Sequence, residues 1–184
     1  MNIADMVQEL QELTGQTVRP YFTVNFGRTK KDGAYSVLVE QEDAFAVIQT
    51  MRSKAAHNVL SFIGTTSFLS EDAPAAGMVE VVLGTGDSQF DILRLMETDA
   101  VNYDMLTEEV IEKLIEYDRA FGIDIFQAET DTVQFLLAGE PEDWDAFCED
   151  LYEFCPDIVD QGCGSVEALK EELQITERAF LWWD

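Results

Sequence analysis

This sequence predicts an α+β fold: one domain with a mixed β-sheet of about six to seven strands flanked by helices. Three observations predict it. Segments that alternate apolar and polar residues, or are wholly apolar, interleave with segments whose apolar residues recur every three or four positions, the signatures of strand and helix. The 184 residues, 47% of them apolar, suffice for one sizeable core. No internal repeat, low-complexity stretch or linker divides them, so a single domain over residues 1–184 is expected.

Ile3, Met6, Val7, Leu10 and Leu13 recur at helical spacing, with Asn2 placed to cap the first turn and Gly15 to end the last. Residues 21–26 alternate, Phe22, Val24 and Phe26 against Tyr21, Thr23 and Asn25, and alternation resumes over 35–39. This predicts a β-hairpin whose tip, from Gly27 to Gly33, carries Arg28, Lys30 and Lys31; charges on such a tip ordinarily face water. Asp43 is placed to cap a helix with Phe45, Ile48, Met51, Arg52 and Ala55 on one face, followed by an apolar strand over 59–63 and a stretch of loop composition over 64–77. The run 79–83 predicts a buried strand that ends in Gly84-Thr85-Gly86. That glycine pair suggests a phosphate loop, but a third glycine would be needed at Gln89 and no Gly-Lys-Ser/Thr follows, so the glycines are read as a turn.

Helices are expected over 88–97, with Phe90, Leu93 and Met96 inward, and over 107–121. In the second, Thr107 is the expected N-cap, Glu108 and Glu109 suit the first turn, Val110, Leu114, Tyr117 and Phe121 share a face, and Gly122 closes the end. Strands over 123–129 and 132–138 meet at Thr130-Asp131. Pro141 opens a helix with Trp144, Phe147, Cys148, Leu151 and Cys155 on one face and acidic residues on the other. Pro156 ends it at Cys155 and sends the chain into a loop over 158–164; Ser165 then caps a two-turn helix with Val166, Leu169 and Leu173 inward. The last strand, 179–183, is apolar on both faces and is expected among the other strands rather than at an edge.

The net charge of −26 is unevenly spread. Residues 1–92 hold 12 acidic and 6 basic side chains, residues 93–184 hold 25 and 5. Such a surface repels nucleic acid and anionic membranes and attracts a basic protein, so a basic partner is expected, with neither nucleic acid nor membrane; solubility in a saline habitat is the plainer use of the same charge. No leader and no apolar run near the roughly 20 residues of a membrane span is visible, and three cysteines suit a reducing compartment, so a cytoplasmic protein is expected. Oligomeric state is left open.

The C-terminal stretch is the most distinctive. Phe154-Cys155-Pro156-Asp157, Gln161-Gly162 with Gly164-Ser165, the helix holding Leu169 and Leu173, and the terminal Trp182-Trp183-Asp184 together resemble the bacterial domain-of-unknown-function family numbered 4253. The resemblance is clearest over 117–184 and extends back to 77, leaving 1–76 as an N-terminal helix, hairpin and βα extension of the same domain. It implies an α+β fold and a bacterial source, and carries no catalytic residue over.

Cys148, Cys155 and Cys163 lack the close pairing of structural zinc ligands, with His57 the sole histidine to complete a set, so no metal and no cofactor is expected. A Cys155 nucleophile with His57 as base has no local signature to support it. Asp157, Asp160 and Asp184 suit a hard cation or acid–base pair if they converge, and a turn if they do not. In a strand one of two adjacent tryptophans points away from the other, so a partly exposed tryptophan beside the 155–164 loop marks a binding site made of Cys155, Asp157, Asp160, Gln161, Trp182 and Asp184. The function expected is a non-enzymatic, acidic protein-binding module, immunity-like, for a basic partner; the alternative is an enzyme with its pocket at the 155–164 loop and the C-terminus.

Overall fold

In the computed structural model, which describes residues 1–23, 29–68 and 75–184, seven strands form one mixed sheet in the order β1-β2-β4-β3-β5-β6-β7. They are β1 (Arg19–Thr23), β2 (Thr29–Glu40), β3 (Val59–Ile63), β4 (Met78–Thr85), β5 (Ile123–Ala128), β6 (Thr132–Leu137) and β7 (Arg178–Trp182). All neighbours are antiparallel except β3 and β5, so two antiparallel halves meet at one parallel seam. This is the α+β architecture that the alternation of strand and helix signals predicts.

Six α-helices flank the sheet: α1 (Ile3–Thr14), α2 (Gln41–Lys54), α3 (Asp91–Met96), α4 (Thr107–Phe121), α5 (Trp144–Phe154) and α6 (Val166–Thr176), with a 3-10 turn (Val101–Tyr103) and a π-helical turn (Ile158–Cys163). One core joins Met6 and Leu10 of α1 and Ile48 and Met51 of α2 to Val37, Val81 and Leu83 of the sheet. The other joins Leu114, Tyr117, Leu151 and Leu173 of the later helices to Ile125, Phe135 and Leu181. The helices thus form two layers, and the sheet lies between them.

At the parallel seam, side chains bond strand groups that the ladder leaves over. Arg52 donates through Nε to Ser61 O of β3 (2.8 Å) and through Nη2 to Ile125 O of β5 (2.6 Å), while its Nη1 meets Asp124 Oδ1 at 2.6 Å. Gln89 bonds β5 as a strand would, accepting from Ile125 N at 2.8 Å and donating to Ile123 O at 3.0 Å. Buried backbone groups need partners, and here one guanidinium and one amide supply them.

Helix α1 forms as its spacing predicts, with Asn2 Oδ1 accepting from Asp5 N and Gly15 at φ 65°. Several local expectations change. In β1 the inward face is that of Tyr21 and Thr23, which are buried while Phe22 is half-buried, because the Tyr21 hydroxyl reaches Thr65 Oγ1 at 3.2 Å against Gly64, where a Cβ would come within 2.7 Å of it. Val24, Asn25, Phe26, Gly27 and Arg28 lie outside the described residues, as does 69–74 of the expected loop. Asp43 sits inside the first turn of α2, which Glu40 precedes without a side-chain cap, and Phe45 is 38% exposed. Helix α3 starts only at Asp91, whose Oδ2 accepts from Asp87 N and Ser88 N and holds the preceding residues in a turn. Thr107 is the first helical residue of α4 and not its cap; the N–H of Leu106 before it donates to Glu109 Oε2 at 2.8 Å. Asp143, not Pro141, starts α5, accepting from Asp145 N and Ala146 N. Helix α6 runs for 11 residues, three turns instead of two, from its Ser165 cap.

Candidate functional site

Strand β7 is an edge strand and not an inner one, pairing among the described residues with β6 alone. Its two apolar faces have different causes. Ala179, Leu181 and Trp183 are buried against the helices, while Phe180 (46% exposed) and the half-buried Trp182 lie on the other face, their rings 5.0 Å apart. Glu177 O accepts from Leu137 N of β6 and Trp183 N donates to Asp131 O just before β6, so by the alternation of an antiparallel ladder the backbone groups of residues 178, 180 and 182 point outward.

The stretch around Cys155 protects this edge. The expected 158–164 loop is instead a π-helical turn lying along β7. Cys155 Sγ donates to Trp182 O (3.0 Å), Trp183 Nε1 to Phe154 O (3.1 Å), and Asp184 N to Asp157 Oδ2 (2.9 Å). Gln161 Nε2 donates to the other Asp157 oxygen at 2.8 Å, and Thr176 Oγ1 meets both the N and O of Arg178. Gly162 has no Cβ because the Trp182 ring would stand 2.9 Å from it. Exposed edges invite association with other strands, and this clip blocks that.

Of the predicted site residues, Cys155, Asp157, Gln161, Trp182 and Asp184 therefore meet, while Asp160 turns away to accept from Tyr152 OH at 2.9 Å. Burial raises the Asp157 carboxyl, but the hydrogen bonds from Asp184 N, Tyr103 and Gln161 outweigh it and hold it below the ordinary carboxylate value. Burial pushes the Cys155 thiol up to about 12 and Cys148 up to about 11, so neither is a thiolate at neutral pH. His57 is exposed in the turn after α2, and among the described residues no group of three or more His, Cys, Asp or Glu is arranged to hold a metal ion. The glycines at the end of β4 serve close packing: a Cβ on Gly84 would stand 2.7 Å from Leu95 Cδ2 and one on Gly86 2.5 Å from Asp91 Cβ, and the Asp91 carboxylate already takes the amides that a phosphate would use.

A larger hollow lies elsewhere. On the α1–α2 side, the β5-β6-β7 half of the sheet floors an open groove of about 1320 Å³. A register shift between Ile125 and Gln127 turns both Phe126 and Gln127 toward it. Cross-strand pairing then sets Gln127 beside Gln134 and Gln134 beside Phe180. The floor is a directional relay. Arg178 donates through Nε and Nη2 to Gln134 Oε1, Gln134 Nε2 donates to Gln127 Oε1, and Gln127 Nε2 reaches Glu129 Oε1 at 3.5 Å. Thr66 adds its N–H and hydroxyl to that same Glu129 oxygen, and the Arg178 guanidinium lies 4.8 Å over the Phe126 ring. Arg178, Gln134, Gln127, Glu129 and Phe180 carry no motif in the sequence; the available signal is one glutamine in each of two neighbouring strands, Gln127 in β5 and Gln134 in β6.

Burial dominates at Glu129 and raises its carboxyl above the ordinary value despite the Thr66 bonds. A raised folded value means stability present at low pH and lost as pH climbs through it. Glu129→Gln is therefore expected to raise the melting temperature at pH 7 by about 2–4 °C, the gain vanishing near pH 4. Melting curves across pH check this; a variant less stable than the parent at pH 7 contradicts it.

No curated protein and no solved structure matches the chain. The family described as Domain of unknown function (DUF4253) matches over residues 80–184, which runs from β4 through the π-helical clip to the final Asp184 and so takes in every strand and helix that builds the edge and the groove floor. That match covers more than half of the sequence, and the chain belongs to this domain-of-unknown-function family.

Proposed function

We propose that the chain is a non-enzymatic protein-binding module that seats a basic partner on this groove, in the manner of an immunity protein that neutralises a basic toxin. The observation that carries this reading is the groove's composition. Among the described residues, Glu129, Asp131, Glu172 and Asp184 line it against a single basic residue, Arg178, in a chain of net charge −26. Charge of that sign speeds the approach of a basic surface, and the exposed Phe180 beside Trp182 offers the aromatic anchor that interface energies concentrate on. Three free thiols accord with a cytoplasmic setting. The alternative, an enzyme centred on residues 155–164, has less support. The cavity behind that turn, about 300 Å³, is lined chiefly by Leu151, Ile158, Leu169, Leu173 and Leu181, and its one thiol among the described residues, Cys163, donates to Ser165 O at 3.3 Å.

Affinity capture tests the proposal. A basic protein is expected to be retained at about 50 mM salt and released at about 500 mM, as screening shortens the reach of the charges. Phe180→Ala is expected to weaken that retention at least about tenfold while leaving the melting temperature nearly unchanged, since the ring is 46% exposed. Absence of any salt-sensitive partner, or a partner indifferent to Phe180, counts against the groove.

A further inference from the structure

Resting on the groove as the docking surface, we propose that it reads a dipolar segment of the partner: an extended stretch with a carboxylate seated on Arg178 and a basic side chain, about four residues away, seated on Glu129.

The relay fixes this polarity. Each amide in it is oriented, because Arg178 has only donors and Glu129 offers the acceptor, so Gln134 must turn its oxygen to Arg178 and its nitrogen to Gln127, and Gln127 must do likewise toward Glu129. The floor therefore has a donor end and an acceptor end. At the donor end, among the described residues seven lysine and arginine side chains form ion pairs with carboxylates and Arg178 forms none. Glu172 of α6 lines the same groove without pairing with it. Arg178 is instead held in place by a neutral amide and by the face of Phe126, which orients the guanidinium fork while leaving Nη1 unbonded among the described residues. An oriented guanidinium with unused donors suits a carboxylate, which it can meet with two parallel hydrogen bonds. At the acceptor end, among the described residues Glu129 has its bonds from Thr66 and Gln127 on Oε1 alone, with Asp131 lining the groove nearby. A second charge of the ligand, positive this time, belongs there.

The register gives the spacing. Arg178 pairs with Leu136 and Trp182 with Thr132, while Glu129 N bonds Thr132 O, so Glu129 lies level with Trp182, four residues along and two strands across from Arg178. At roughly 3.3 Å per residue and 4.8 Å per strand, the two backbone positions are on the order of 16 Å apart, and the side chains lean in toward one another. A segment of about five extended residues spans that gap, with Phe180 and Trp182 beside its path.

Four short peptides test the assignment by titration against the intact protein: acetyl-Glu-Ser-Thr-Ser-Arg-amide, its Glu→Gln and Arg→Gln counterparts, and acetyl-Arg-Ser-Thr-Ser-Gly with a free C-terminus, which supplies the carboxylate from the chain end. The dipolar peptide is expected to bind at least about tenfold more tightly than its Glu→Gln counterpart, a preference that Arg178→Gln abolishes and Arg178→Lys, which keeps the charge without the fork, leaves intermediate. Glu129→Gln is expected to abolish the preference for the peptide's arginine and leave the preference for its glutamate. If the free-terminus peptide matches the dipolar one, a chain end serves as well as a side chain; if it matches the Glu→Gln peptide, the carboxylate must be a side chain. An equal Glu→Gln penalty in parent and Arg178→Gln overturns the subsite. An arginine-only peptide that binds as tightly as the dipolar one upholds the basic-partner reading and overturns the subsite. Tight binding of the dipolar peptide with none by the arginine-only peptide upholds the subsite and overturns a simple basic partner.

Discussion

Trp183→Ala is expected to cost about 3–5 kcal/mol of stability, the largest single effect foreseen for the C-terminal clip. Trp183 is 4% exposed, its ring meets Phe154 edge-on with centroids 5.3 Å apart, and its Nε1–H donates to Phe154 O at 3.1 Å. Truncation removes a large apolar surface from the second core and leaves a carbonyl at the end of α5 without its donor. Trp183→Phe keeps most of the volume and loses mainly the hydrogen bond, so it should cost less than half as much. Urea denaturation measures both; a midpoint for Trp183→Ala within about 1 kcal/mol of the parent shows that the clip does not hold the terminal strand.

Asp157→Ala is expected to cost about 2–3 kcal/mol, because it orphans the Asp184 N–H and the Gln161 amide together around a position only 5% exposed. The acid dependence separates this carboxylate from ordinary surface ones. Its folded value lies below the ordinary one, so its contribution is whole above about pH 5 and falls away as pH drops below about 4 through the folded value. Asp157→Asn should therefore flatten that part of the stability–pH profile in addition to lowering stability at pH 7. A profile that declines equally steeply in Asp157→Asn assigns the acid loss to other carboxylates. Glu129 acts in the opposite sense, which makes Glu129→Gln the control for the sign.

Much of the secondary structure was legible because its causes are local. The spacing of Ile3, Met6 and Leu10, the Ser165 cap, the left-handed Gly15 and the stop at Pro156 each act within a few residues, and each does what its chemistry requires. Misplacements fell where a non-local contact outweighed the local pattern. Alternation in β1 shows the period and not which face is inward, because Thr65 and Gly64, more than forty residues on, hold Tyr21 inward. The apolar final strand was placed inside the sheet for want of a visible alternative: burial of Trp183 by helices and mutual stacking of Phe180 and Trp182 produce the same apolar string at an edge.

By itself the sequence determined the α+β class, most of the elements, the acidity of the chain, and the resemblance carried by the 154–184 stretch. Only the tertiary structure decided strand order, the role of that stretch as the clip on an edge strand, and the groove with its Arg178-to-Glu129 relay. The reason is physical. Helix periodicity and caps depend on neighbours in sequence, whereas Gln127, Gln134 and Arg178 become one hydrogen-bonded row only when three strands, separated by a turn and by two helices, are set side by side in register.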